Sequence, residues 1–251
     1  MEKPKKNTFW EMKMSADDSS SADIFIYGDI VTYQWDEVDT SATSFKEDLD
    51  RLGDVSNLNL YINSPGGSVF EGIAIHNMLK RHKAKVNVYV DALAASIASV
   101  VAMAGDTIYM PKNSMLMIHH PWTFAWGNAS EMRKIADDLD RIGNSSKQVY
   151  LQKAGDKLTD EKLQDMLDAE SWLSAEEAFE YGLCDVVQEA NTMAASISDE
   201  CMNRYKNVPK QLISQQQTPI SAGDMVKRQQ IADESKAHAA YIQTILGGIF
   251  E

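Results

Sequence analysis

Twice between residues 58 and 98 the chain runs from a short apolar strand, through a turn of small residues, into a helix, and this alternation constrains the fold more than any other feature. The first unit is Leu58-Asn59-Leu60-Tyr61-Ile62, the turn Asn63-Ser64-Pro65-Gly66-Gly67-Ser68, and a helix to about Lys83 in which Phe70, Ile73, Ala74, Asn77 and Met78 recur at helical spacing. The second is Val86-Asn87-Val88-Tyr89-Val90, with its valines on one face, followed by Ala94-Ala95-Ser96-Ile97-Ala98 and an Ala-rich helix beginning at Ser96. Strands alternating with helices imply right-handed crossovers and an α/β fold with a largely parallel sheet covered on both faces. Sites in such sheets form at the carboxyl ends of strands. Both the glycine pair and Ser96 stand just past a strand end.

Other segments fit the same plan. Ile24-Phe25-Ile26-Tyr27 reads as a strand stopped by Gly28-Asp29, after a polar lead-in at Ser15–Ser21 that reads as flexible, so the globular part is expected to start near residue 22. A helix is predicted around Ser44–Gly53, and short strands at Thr107–Met110 and Ser114–Ile118. A long charged helix over Ala129–Ala154 carries the apolar stripe Met132, Ile135, Ala136, Leu139 and Ile142, for which another subunit is a natural cover. A further helix runs from about Thr159-Asp160 to Asp168. Ser174 and Glu177 form a capping box that starts another, and Gly182 releases the chain into Leu183–Val187. From Asn191 onward one helix is plausible, at Gly223–Ile245.

Composition removes several classes of function. The net charge is −13, from 37 acidic and 24 basic residues, so a phosphate-rich partner meets repulsion and nucleic-acid binding is disfavoured. Beyond residue 190 acidic and basic residues balance, and the whole net charge therefore belongs to residues 1–190. The most apolar run, Ala92–Gly105, has 14 residues and is interrupted by Ser96 and Ser99, whereas a membrane span needs roughly 20. The charged N-terminus has no signal-peptide character, which argues for a cytoplasmic protein. Cys184 and Cys201 stand at no metal-ligand spacing, and no metal or cofactor is expected. Without a Gly-Lys-Ser/Thr after Pro65-Gly66-Gly67, a phosphate loop is a poor reading of that turn; any ATP used would be hydrolysed by another chain.

A serine at a strand-to-helix turn needs a base, because a free hydroxyl is a weak nucleophile at neutral pH. The strand Met115–Ile118 ends in His119-His120-Pro121. Neighbouring side chains on an extended segment point to opposite faces, so only one of the two histidines can face Ser96, and spacing does not say which. A carboxylate to orient the imidazole should come from a later segment, where Asp168 and Glu170 are both available.

With these pieces in order, residues 22–190 resemble the Clp protease proteolytic subunit family, and more closely the ClpP-like head-maturation proteases of phages and prophages. The likeness is carried by Tyr27-Gly28-Asp29-Ile30, by Tyr61 to Ser68, by Ala94 to Ala98, by Met115 to Pro121, by Leu173 to Ala178 and by Glu180-Tyr181-Gly182-Leu183. It implies a ClpP/crotonase-type α/β fold of repeated β-β-α units with a protruding handle helix at 129–154. Residues 1–21 and 191–251 then form a flexible N-terminal segment and a C-terminal extension, partly helical or flexible. It also implies Ser96 as nucleophile, His119 as base, and the backbone N–H groups of Gly67 and Ile97 as oxyanion donors. Ile97 stands where the family usually has methionine. The third position is an aspartate in the family and Glu170 here; a glutamate reaches about 1.5 Å further, so the triad closes only if the backbone sits back.

The expectation is a serine endopeptidase acting on protein or peptide, with the capsid or scaffold protein of a phage head as substrate. The resemblance further implies heptameric rings stacked in pairs. It places substrate extended between the Gly67–Val69 edge and the strand after Pro121. The alternative in the same class is a degradative subunit fed by an ATPase unfoldase, although residues 1–21 show no likeness to the family's ATPase-engaging loop. Rivals from other classes are a crotonase-like acyl-CoA enzyme, which would bind coenzyme A derivatives, and a non-catalytic ring component.

Overall fold

The computed structural model describes residues 8–16, 18–31, 34–35, 38–39, 41–190, 205 and 207–209. In order along the chain are β1 (Trp10–Met14), β2 (Ser21–Tyr27), β3 (Gln34–Trp35), β4 (Val38–Asp39), α1 (Ala42–Arg51), β5 (Asn57–Ser64), α2 (Val69–Arg81) and β6 (Lys85–Ala95). Then come α3 (Ile97–Ala102), β7 (Thr107–Pro111), β8 (Met115–Ile118), α4 (Ala129–Ala154), α5 (Asp160–Asp168), β9 (Ser171–Ser174), α6 (Ala175–Glu180) and β10 (Val186–Gln188). The chain divides into residues 1–209 and 210–251; the second unit, with the helix expected at 223–245, lies outside the described residues.

One eight-stranded mixed α/β sheet organises the first unit, in the order β1-β2-β5-β6-β7-β10, with β8 paired to β6 and β9 to β8. The β2, β5, β6, β7 and β10 strands run parallel, as does the β6–β8 pair, while β1 and β9 are antiparallel to their neighbours. On one face Ile24, Ile26, Leu58, Leu60, Ile62, Val86, Val88, Val90 and Ile108 are at most 2% exposed. They form the core with Phe45, Ile75, Leu79 and the small residues of α3. Contrary to expectation, none of the described helices covers the other face. Phe25, Tyr61, Tyr89 and Tyr109 are half-buried there and stack in a ladder with centroid spacings of 4.8, 5.0 and 4.8 Å. The physical reason is already in the strands: period-two alternation signals burial on one face, whereas sheets covered on both faces read as continuous apolar runs.

The ordered part also begins earlier than residue 22. Trp10 is 4% exposed, packs edge-on to Phe9 and Phe45, and donates its indole N–H to Asp48 at 2.8 Å, which fixes β1 as an edge strand. Further along, α4 has the expected bounds, with a capping box from Asn128 and Glu131. Its buried residues are Gly143, Tyr150 and Ala154, so the N-terminal half stands clear of the core. The capping box at Ser174 and Glu177 is present as read.

Candidate active site

β6 continues past Val90 to Ala95, so the chain reaches Ser96 directly from a buried strand and turns at once into α3. Ser96 has φ 54° and ψ −127°, a left-handed conformation that costs a non-glycine residue roughly 1–3 kcal/mol and persists only where the surroundings enforce it. They do so here through three contacts. The Ser96 N–H donates to the Met117 carbonyl at 2.9 Å, and the Ser96 carbonyl accepts from the Ser99 N–H at 3.0 Å and the Ser99 hydroxyl at 2.6 Å. Because the Ser99 proton is thus committed, the buried Tyr150 hydroxyl, 2.6 Å away, is the donor to Ser99 Oγ. Burial pushes the Tyr150 pKa up, which keeps that donor protonated.

The glycine turn presses against the serine turn. A Cβ on Gly66 would lie 2.7 Å from the Ala95 carbonyl oxygen and 2.8 Å from Ser96 Cβ; one on Gly67 would lie 2.1 Å from the Ile30 carbonyl oxygen. Both have positive φ, so glycine is required by conformation and by space. Ser64 Oγ braces the turn by donating to the Gly28 carbonyl at 2.6 Å and accepting from the Gly66 N–H at 3.1 Å. Among the described residues, no acceptor takes the N–H of Gly67 or of Ile97.

Pairing of Ala95 with Met117 brings the end of β8 beside the serine turn, and His119 Nε2 stands 2.7 Å from Ser96 Oγ. His120 points the other way, as alternation requires, with Nε2 2.9 Å from Asp168 Oδ1 and 3.1 Å from the Gln164 amide nitrogen. Asp168 is therefore brought to His120 rather than to His119. Glu170 arrives by a route that motif spacing did not reveal. The β8–β9 ladder pairs Met117 with Trp172 and Ile118 with Ser171, so the next step outward sets Glu170 across from His119. Glu170 has φ 51°, and it and Ser96 are the two positive-φ non-glycine residues among those described.

The His119 pKa is lowered, first by burial, which disfavours the imidazolium; the Glu170 charge works against this and raises it, and His120 lowers it further. A neutral imidazole in contact with a serine hydroxyl can accept its proton. Two unengaged N–H groups beside that hydroxyl can receive an anionic oxygen.

Ser96 and His119 open onto a cleft of about 230 Å³ lined also by Pro65, Gly67, Val69, Pro121, Trp122 and Tyr205. Tyr205 and Asn207 were missed in the sequence, because they carry no motif and lie beyond the segment that does. The Tyr205 ring meets His119 edge-on at 5.7 Å and Trp172 at 5.5 Å, is 9% exposed, and donates its hydroxyl to the Pro65 carbonyl. The Asn207 N–H donates to Glu170 Oε1 at 2.9 Å, and its side-chain amide donates to the Ala169 carbonyl at 2.9 Å. Among the described residues no three His, Cys, Asp or Glu side chains are grouped to hold a metal ion, and no helix is long and apolar enough to cross a membrane.

Residues 20–191 match the family model described as Clp protease. An ATP-dependent Clp protease proteolytic subunit from Chlorella vulgaris is 37% identical over 133 residues, which cover 52% of this chain and 65% of the length of that relative.

Proposed function

Because this chain belongs to the Clp protease family, we propose that it is a serine endopeptidase in which Ser96 is the nucleophile, His119 the base and Glu170 the group that orients the imidazole. The observation that carries this reading is the 2.7 Å contact between His119 Nε2 and the hydroxyl of a serine held at positive φ. His119 Nε2 takes the Ser96 proton as Oγ attacks the scissile carbonyl. The resulting oxyanion accepts from the N–H groups of Gly67 and Ile97, and His119 returns the proton to the leaving amine. Water then gives a proton to His119 as its oxygen attacks the acyl-Ser96 ester, and His119 passes that proton to the departing Ser96 Oγ, which restores the hydroxyl and the neutral imidazole. Glu170 accepts from the Nδ1–H and holds the tautomer that leaves Nε2 basic. Lowering of the His119 pKa supports the base role, since a neutral imidazole is the reactive form.

The substrate we propose is the capsid or scaffold protein of a phage head, and the support is the 60 residues beyond the matched 20–191, an extension that a compact degradative subunit has no need of. The name of the algal relative, an ATP-dependent proteolytic subunit, favours the second reading, in which an ATPase unfoldase delivers the substrate. In either case a homo-oligomer of stacked heptameric rings is proposed, with the uncovered half of α4 as the contact between rings. Incubating a phage capsid or scaffold protein with wild type and with Ser96→Ala, read by intact mass, tests both levels. Discrete truncation by wild type alone supports head maturation, whereas degradation that requires ATP and a co-purifying ATPase supports the second reading. Cleavage that survives Ser96→Ala would remove the mechanism.

A further inference from the structure

Tyr205 lies outside the residues matched by the family model, yet it is built into the cleft in front of Ser96. Resting on the endopeptidase reading above, we infer that Tyr205 is a specificity-determining residue: its ring is a wall of the substrate cleft and limits the size of the side chain accepted beside the scissile bond.

Three observations converge on this. The ring is fixed on three sides, by His119, by Trp172 and through its hydroxyl on the Pro65 carbonyl, so it is a rigid wall rather than a mobile cover. It bounds the open space of about 230 Å³ that Ser96 and His119 face, so truncating the ring enlarges the room beside the nucleophile. Apart from His119 and the Tyr205 phenol, the lining of that space carries no ionisable side chain among the described residues. Pro65, Val69, Pro121 and Trp122 offer apolar surface, so a compact apolar side chain fits and a charged one meets no partner.

Full-length wild type, Tyr205→Phe and Tyr205→Ala are compared on a library of unstructured decapeptides, with cleavage preferences read by mass spectrometry at the two residues flanking each cut. Tyr205→Ala should move the preference for large over small apolar residues by about tenfold, the scale on which an apolar pocket discriminates by size. Tyr205→Phe, which keeps the ring, should retain the wild-type preference. A uniform rise in cleavage of all peptides by Tyr205→Ala would overturn the inference, because it would make the ring an occluding cover. An unchanged profile would overturn it as well. Labelling of Ser96 by a serine-reactive fluorophosphonate separates the two levels: labelling with an unmoved profile sinks the specificity role alone, whereas wild type that neither labels nor cleaves sinks the endopeptidase reading beneath it.

Discussion

Among the described residues two turns hold a non-glycine residue at positive φ, and they are held in different ways. The Ser96 turn is enforced from within the matched domain by a buried strand, a glycine turn in contact with it, and the Tyr150–Ser99 hydrogen-bond chain. The Glu170 turn links α5 to β9 at a half-buried position, and one of its carboxylate oxygens is held by the N–H of Asn207, beyond that domain. The difference teaches that position and charge are controlled separately. The hydroxyl proposed as nucleophile is fixed by the core, where a small displacement would be ruinous, while the proposed orienting group is held partly by residues beyond the matched family domain.

The largest effect should come from breaking the serine side of this comparison. Gly67→Ala would put a Cβ 2.1 Å from a backbone oxygen at a φ of 146°, so the glycine turn must move and take the Gly67 N–H with it. We expect a loss of about 10²–10³-fold in kcat/KM, the scale for losing one oxyanion donor. A stability loss of about 2–4 kcal/mol should accompany it, from backbone strain against a fixed neighbour. Peptide hydrolysis and thermal unfolding measure the two. Near-normal activity at an unchanged melting temperature would mean that the Ser96 turn does not depend on its glycine partner.

Breaking the other side should cost less and leave a distinct signature. Glu170→Gln removes the charge that raises the His119 pKa while burial continues to lower it. The base must be neutral to act, so in wild type the acid limb of kcat/KM should lie below the ordinary imidazole value of 6.5, and in Glu170→Gln it should move lower still. The plateau should also fall as control of the tautomer weakens. A plateau loss without movement of the limb would assign Glu170 a purely steric role.

How much of this was legible beforehand follows the same division. The serine turn, the glycine turn and the two histidines lie at the ends of strongly patterned strands, where composition and alternation fix local structure, and α4 and the Ser174 capping box have self-contained signals. That only one face of the sheet is uniformly apolar was legible too: Val86-Asn87-Val88-Tyr89-Val90 alternates, and the choice between one apolar face and two was available from that pattern alone. Ser171-Trp172-Leu173-Ser174 has no β-branched run to announce a strand. It forms one because β8 offers it an edge, and that pairing, not any spacing between motifs, sets Glu170 across from His119. Tyr205 and Asn207 had no local signal, since their roles rest on contacts with residues more than 30 positions earlier. Trp10 was passed over because a single buried aromatic at a strand edge looks like any exposed one until its partners, Phe45 and Asp48, are known.

The smallest expected effect sharpens the comparison most. Asn207→Ala removes the side-chain bond to the Ala169 carbonyl but keeps the backbone N–H that meets Glu170, so Glu170 retains its charge and loses only part of its anchorage. The cost should be about 0.5 kcal/mol, close to twofold in kcat/KM, the scale of an exposed hydrogen bond. The acid limb should stay in place, because the charge facing His119 is unchanged. If Asn207 acts through Glu170, its twofold effect must disappear when Glu170 is already glutamine, since two residues in one chain of contacts do not contribute independently. An effect that persists undiminished in the double variant would detach Asn207 from Glu170. Glu170, the proposed orienting group, would then be held by the matched domain alone, just as Ser96 is.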